Sequence, residues 1–110
     1  IGDTHEPFCH PDYREFVYDV FNRFGVSDVI HIGDECDNAA LSYHESELEM
    51  PNAVNEAEQA QKAMEGWYKT FPDVKVCVGN HSALPFRQAT SAGIPKRYLN
   101  YIRDERGLRN

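Results

Sequence analysis

Six residues in three short polar stretches carry the side chains that metal chemistry requires. The stretches read "GDTH", "GDECDN" and "GNH", and each begins with a glycine, which permits a sharp turn and a close approach of the backbone to a ligand. Their carboxylate oxygens, imidazole nitrogens and amide oxygen form a mixed donor set that suits Mn, Fe or Zn. The six residues are Asp3, His5, Asp34, Asp37, Asn80 and His81.

The middle stretch crowds negative charge, because Asp34, Glu35 and Asp37 stand within four positions of one another. Neighbouring carboxylates repel one another and lose hydration when they are partly buried, so something positive is expected among them. The candidates are a metal ion, a basic side chain or bulk solvent. We expect the Glu35 side chain to point away from the other two.

Alternating strands and helices are predicted to bring the three stretches together. Apolar residues recur at helical spacing in three segments, and β-branched residues mark the strands between them. This order predicts an α/β fold with a parallel sheet, in which ligands gather at the carboxyl ends of the strands. The predicted helices span about 11–24, 51–71 and 85–92, and the predicted strands are the first residues, 28–33 and 74–80.

Two sets of residues inside these elements are assigned to the core. His31 lies in the middle of a predicted strand, and we expect a buried, hydrogen-bonded histidine there. Trp67, Tyr68 and Phe71 recur at helical spacing and are predicted to be core aromatics.

Composition limits the chain to one small domain, because 110 residues with 41% hydrophobic and 26% charged side chains can form only a modest core. Ile1 is not a methionine, so we expect an internal piece of a longer protein.

No run approaches the roughly 20 apolar residues of a membrane span. Three cysteines, Cys9, Cys36 and Cys77, form no C-x-x-C pair, which favours free thiols in a reducing compartment such as the cytoplasm. We expect all three to be small buried residues.

The net charge of −7 is unevenly distributed. Residues 1–86 contain 16 acidic and 5 basic side chains, whereas residues 87–110 contain 6 basic and 2 acidic ones. The basic tail is either a solvated face or a patch that faces phosphate groups. Binding to nucleic acid therefore stays open at this point.

The order D-x-H, G-D-x-x-D and G-N-H, each after a predicted strand, resembles the calcineurin-like metallophosphoesterase superfamily. The resemblance extends from Ile1 to about His81, and the later "RQATSAGIPKRYL" is similar to phage-type and bacterial members. It implies an α/β sandwich, of which residues 1–110 would be the N-terminal portion. It also implies a metal-dependent hydrolase of phosphate esters, either a phosphatase or a phosphodiesterase.

The resemblance implies two divalent metal ions, with Mn expected first and Fe or Zn as alternatives. The ions would generate a hydroxide near neutral pH and hold the phosphate for in-line attack. His81 would not be a ligand but would protonate the leaving oxygen or stabilise developing charge, with Asp37 fixing its tautomer. The implied ligands are Asp3 and His5 for the first ion, Asp34 as the bridge between both and Asn80 for the second.

The sequence departs from the superfamily pattern in three places. Members complete the metal site with later histidines, but no histidine follows His81 here. Either those ligands lie in a further C-terminal part, or this protein cannot hold two metals tightly. Asn38 replaces the Arg-Gly of the Ser/Thr protein phosphatases, which argues against that branch, and Ser82 stands where many members have an acidic residue.

Other classes of function remain as alternatives. The main one is a family member that has lost activity and serves as a binding module. A structural zinc module would use His5, Cys9, His10 and Cys36, but their spacing fits no common zinc pattern. A receiver-type signalling domain would need a lysine at a strand end. For an enzyme, the substrates of the superfamily include phosphomonoesters, cyclic nucleotides, dinucleotides and nucleic-acid ends.

Overall fold

The computed structural model describes residues 1–42 and 52–99, which include a two-stranded parallel sheet. Strand β1 (Ile30–His31) pairs in parallel with β2 (Lys75–Val76), so that His31 stands opposite Val76. Both strands are shorter than predicted. The chain leaves the β conformation soon after β1, since Gly33 has a φ of 119°. The mixed α/β class and the parallel pairing are confirmed for the described residues.

The N-terminal segment 1–6 runs alongside β1 without forming a regular strand. The backbone N–H of Ile32 donates to the carbonyl of Ile1 (2.9 Å), and the N–H of Glu6 donates to the carbonyl of Glu35 (2.8 Å). A single parallel bridge joins Glu6 to Cys36. These bonds place the first polar stretch directly beside the second, although the expected first strand is not regular.

Helix α1 (Tyr13–Phe24) ends where the sequence predicts and begins two residues after the predicted start. Gly25 stops it in the left-handed conformation, with a φ of 61°, which glycine adopts without steric cost. Tyr13, Val17 and Phe21 pack on the core, but Phe16 and Phe24 are 64% and 72% exposed. The apolar stripe of α1 is therefore wider than the face that it buries in the described structure.

Helix α2 (Ala53–Thr70) and the residues just after it form the core cluster. The side chain of Asn52 accepts a hydrogen bond from the N–H of Asn55 (3.0 Å) and caps its first turn. The buried core cluster consists of Met64, Trp67, Phe71 and Val74. The indole of Trp67 meets the rings of Phe71 and Tyr13 at centroid distances of 6.3 and 5.5 Å. The core role predicted for Trp67 and Phe71 is confirmed, and Tyr68 packs at the edge of the cluster.

Helix α3 (Leu84–Ser91) follows the third polar stretch, and two short 3-10 turns lie at Ala39–Leu41 and Lys96–Tyr98. The side chain of Gln88 donates to the carbonyl of Leu41 (2.8 Å), which ties α3 to the first of these turns. Half of the basic side chains of the tail, Arg103, Arg106 and Arg109, lie outside the described residues. Within the described ranges, none of the helices has the length and apolar composition needed to cross a bilayer.

His31 is a buried core histidine, as predicted, with only 2% of its surface exposed. The N–H of Gly33 donates to its Nδ1 (3.2 Å), so the proton is on Nε2. That Nε2 lies 3.1 Å from the hydroxyl of Thr4, which in turn donates to the carbonyl of Glu35 (3.0 Å). This buried network joins the N-terminal segment to β1 directly beneath the polar stretches.

Candidate metal centre

Three of the predicted metal ligands meet at the carboxyl end of β1. One possible ligand atom from each of Asp3, His5 and Asp34 lies within 4.8 Å of the others. The Nε2 atom of His5 is 3.7 Å from an oxygen of Asp3. The Asp34 residue is buried with 6% exposure, whereas the Asp3 side chain is 65% exposed. A cation held here would contact one buried and one solvent-facing carboxylate.

A second group shares His5 with the first. His5, Asp37 and His81 also bring ligand atoms within 4.8 Å of one another. The Asp37 carboxylate lies 2.6 Å from Nδ1 of His5 and 3.2 Å from Nδ1 of His81. The two imidazole rings meet edge to face, with centroids 4.6 Å apart. The site is therefore one continuous cluster of side chains.

Asp34 connects the second polar stretch to the third. Its Oδ1 accepts hydrogen bonds from the backbone N–H of His81 (2.7 Å) and of Ser82 (3.3 Å). Asn80 is exposed and lies in the same turn, immediately before His81. The three stretches thus meet at one edge, as predicted, although His81 is 47 residues from Asp34 in the sequence.

Gly33 and Gly79 allow this close approach. A Cβ atom on Gly79 would overlap the Asp34 carboxylate, and one on Gly33 would lie 2.7 Å from the backbone nitrogen of Gly79. Real Cβ atoms essentially never come so close to backbone atoms. The glycines at the starts of the second and third stretches are therefore required for the contact between them.

Backbone strain is concentrated in this cluster. Within residues 1–42 and 52–99, four residues other than glycine have a positive φ, namely Asp3 (52°), His5 (46°), Asp34 (55°) and Asn38 (53°). Left-handed backbone costs a non-glycine residue on the order of 1–3 kcal/mol, and such strain tends to collect at functional sites. Three of the four are predicted metal ligands, so the strain falls on the residues to which the sequence assigns chemistry.

The donor set fits a divalent transition metal, because it combines imidazole nitrogen with carboxylate oxygen.

Among the described residues, neither group of clustered ligand atoms includes a cysteine. Burial and the negative charge of Glu6 raise the pKa of the Cys9 thiol to about 11, so this thiol is neutral near pH 7. His10 is 74% exposed and accepts a bond from the N–H of Asp12. The zinc-module alternative therefore gains no support.

Comparison with known proteins adds no family to this description. No family model, curated protein or solved structure matches the chain. The functional argument therefore rests on the sequence motifs and on the geometry of the cluster.

Helix α2 holds the polar stretches in place through two buried carboxylates, whose hydrogen-bond partners the sequence did not predict. The indole N–H of Trp67 donates to Glu6 (2.8 Å), and the hydroxyl of Tyr68 donates to Glu35. The Glu35 side chain does point away from the cluster, as expected. Both carboxylates lie on the segments that carry the candidate ligands, so these bonds fix the cluster to the core.

Glu56 makes the third of these connections. It is 3% exposed, and its two oxygens accept the backbone N–H groups of Ala39 (2.6 Å) and Ala40 (2.8 Å). The turn that it holds begins at Asn38, whose side chain donates to the carbonyl of His81 (3.0 Å). Glu56 therefore reaches the third polar stretch through Asn38. A buried acid in the first turns of a helix has no local sequence signal that separates it from a solvated one.

We expect Glu56→Gln to lower the free energy of unfolding by about 1.5–3 kcal/mol. The amide of glutamine has one oxygen, which can accept one of the two backbone N–H groups, and its NH₂ group would face the other N–H, which it cannot accept. Urea unfolding at neutral pH measures this loss. The matched control is Glu58→Gln on the exposed side of the same helix, which should change stability by no more than about 0.5 kcal/mol. Equal unfolding midpoints for the two variants would contradict the anchoring role of Glu56.

Proposed function

We propose that this chain is the N-terminal part of a calcineurin-like metallophosphoesterase that hydrolyses phosphomonoesters or phosphodiesters with two divalent metal ions. The observation that carries the proposal is the meeting of Asp3, His5 and Asp34 within 4.8 Å, with His81 bonded to Asp34 through its backbone. The superfamily motifs, far apart in sequence, meet in one cluster. This geometry is what the resemblance requires, and it supports the proposal.

Each residue of the cluster has a role in the proposal. Asp3 and His5 would hold the first ion, the buried Asp34 would contribute to both ions, and Asn80 would hold the second through its amide oxygen. When bound, the two ions supply a hydroxide near neutral pH and orient the phosphate oxygens. Mn is proposed first because the set is dominated by oxygen donors, with Fe or Zn as alternatives.

His81 acts on the leaving group in this proposal. Its Nδ1 lies 2.8 Å from the backbone carbonyl of Asp37, which can only accept a hydrogen bond, so the ring carries a proton on Nδ1. The Nε2 atom is therefore the one that meets the substrate. The side chain is 35% exposed, which leaves it accessible to a phosphate ester. A protonated Nε2 can donate to the leaving oxygen as its bond to phosphorus breaks.

The test is hydrolysis by the full-length protein of nitrophenyl phosphate and bis-nitrophenyl phosphate, which represent monoesters and diesters. Protein freed of metal by chelation is assayed alone and after addition of Mn, Fe, Zn or Mg. We expect activity to return with Mn and to be absent from chelated protein. A metal-loaded protein that hydrolyses neither ester would contradict the proposal and favour an inactive binding module.

A further inference from the structure

The carboxylate of Asp37 lies between two histidines that have different roles in the proposed function. Its Oδ1 is 2.6 Å from Nδ1 of His5 but 3.2 Å from Nδ1 of His81. Its side chain is 19% exposed, so water screens these contacts only partly. The shorter contact is to the proposed metal ligand and not to the proposed acid.

His81 is oriented mainly by bonds that do not involve the Asp37 side chain. Its Nδ1 donates to the backbone carbonyl of Asp37 (2.8 Å), an acceptor that every substitution at position 37 retains. Its own backbone is held at both ends, because its N–H donates to Asp34 (2.7 Å) and its carbonyl accepts from Asn38 (3.0 Å). The tautomer and position of His81 therefore do not require a carboxylate at position 37.

His5 depends on that carboxylate more directly. A bond from Nδ1–H to the Asp37 oxygen leaves the lone pair on Nε2, the atom that lies 3.7 Å from Asp3. A metal-binding histidine is commonly oriented in this way, by a carboxylate that accepts its other ring N–H. His5 also has a left-handed backbone, with a φ of 46°, so its backbone is not in a preferred conformation.

We propose that Asp37 is the positioning residue of the metal ligand His5 and not of the acid His81. The Asp37 carboxylate fixes the Nδ1–H tautomer of His5 and aims Nε2 at the first metal ion. This inference rests on the proposed function. It reverses the role that the superfamily resemblance implies for Asp37, since the backbone carbonyl of the same residue serves His81 instead.

The test compares Asp37→Asn with wild type in the full-length protein. Calorimetric titration of Mn into chelated protein should show an affinity about 10–100-fold lower in the variant, the usual cost of losing such a partner. At saturating Mn, the dependence of kcat on leaving-group pKa should match that of wild type, because His81 keeps its backbone partner. The control is Asp12→Asn, which removes the same charge at a carboxylate that is 84% exposed, and it should change neither quantity.

Unchanged Mn affinity in Asp37→Asn, together with an altered leaving-group dependence, would overturn the assignment. It would mean that the Asp37 carboxylate orients His81 and not His5. A wild-type protein that binds no Mn would overturn the proposed function and this inference with it, so the two failures are distinguishable. Nitrogen NMR of the imidazoles in metal-free wild type gives a test without any variant. It should show a proton on Nδ1 of His5, and a proton on Nε2 with none on Nδ1 would overturn the inference.

Discussion

Replacing Asp34 by asparagine should remove metal binding and hydrolysis together from the full-length protein. In the proposed site this carboxylate bridges both ions, so one substitution weakens both metal positions. The loss of Mn affinity should exceed the roughly 10–100-fold that follows removal of a ligand's hydrogen-bond partner. Calorimetry with Mn and an assay of ester hydrolysis measure the two effects.

The Asp34→Asn substitution removes the negative charge at position 34 and keeps the hydrogen-bond acceptor. Oδ1 of Asp34 accepts the backbone N–H groups of His81 and Ser82, and the amide oxygen of asparagine can accept the same two bonds. The turn should therefore keep its conformation while the bridging charge is lost. Asp73→Asn, at an exposed carboxylate before β2, is the control and should bind metal like wild type. Unchanged binding of two Mn ions in Asp34→Asn would contradict the bridging role.

His81→Ala should retain both metals and lose roughly 10²–10⁴-fold in rate, the usual range for removing a general acid. The loss should be smaller for nitrophenyl esters, because a good leaving group needs little protonation. The backbone N–H of residue 81 still donates to Asp34 in this variant, so the metal ligands keep their positions. The measurement is kcat against leaving-group pKa, together with metal content.

Two outcomes would contradict this role for His81. An equal loss of rate for all leaving groups would mean that the imidazole stabilises charge on the phosphate instead of donating a proton. Loss of metal from His81→Ala would mean that His81 is a ligand. Comparison with Asp37→Asn separates the two histidines, since that variant should lose metal affinity and keep the leaving-group dependence.

The helices were predictable because the signals at their ends are local, and the meeting of the polar stretches was predictable from the parallel order of the strands. Gly25 ends α1 through its own backbone conformation, and Asn52 caps α2 through a bond to a residue three positions away. Parallel strands place their carboxyl ends at one edge, so Asp34 and His81 could be expected to meet.

The buried carboxylates were not predictable, because their partners are distant in the sequence. Glu56, Glu35 and Glu6 bond to residues 16 or 17, 33 and 61 positions away. A sequence pattern can pair His81 with Asp37, but it does not show whether the side chain or the backbone of Asp37 accepts the bond. The bond from His81 to the backbone carbonyl of Asp37 appeared only in the structure. Cys77 was predicted to be a small buried residue, and this was wrong, since it is exposed.

Electron paramagnetic resonance of the Mn-loaded full-length protein tests the two-metal centre at this sheet edge most directly. Two Mn ions that share the Asp34 carboxylate should give an exchange-coupled spectrum, and Asp34→Asn should abolish that coupling. A wild-type spectrum of isolated Mn alone, at full metal loading, would contradict the central claim.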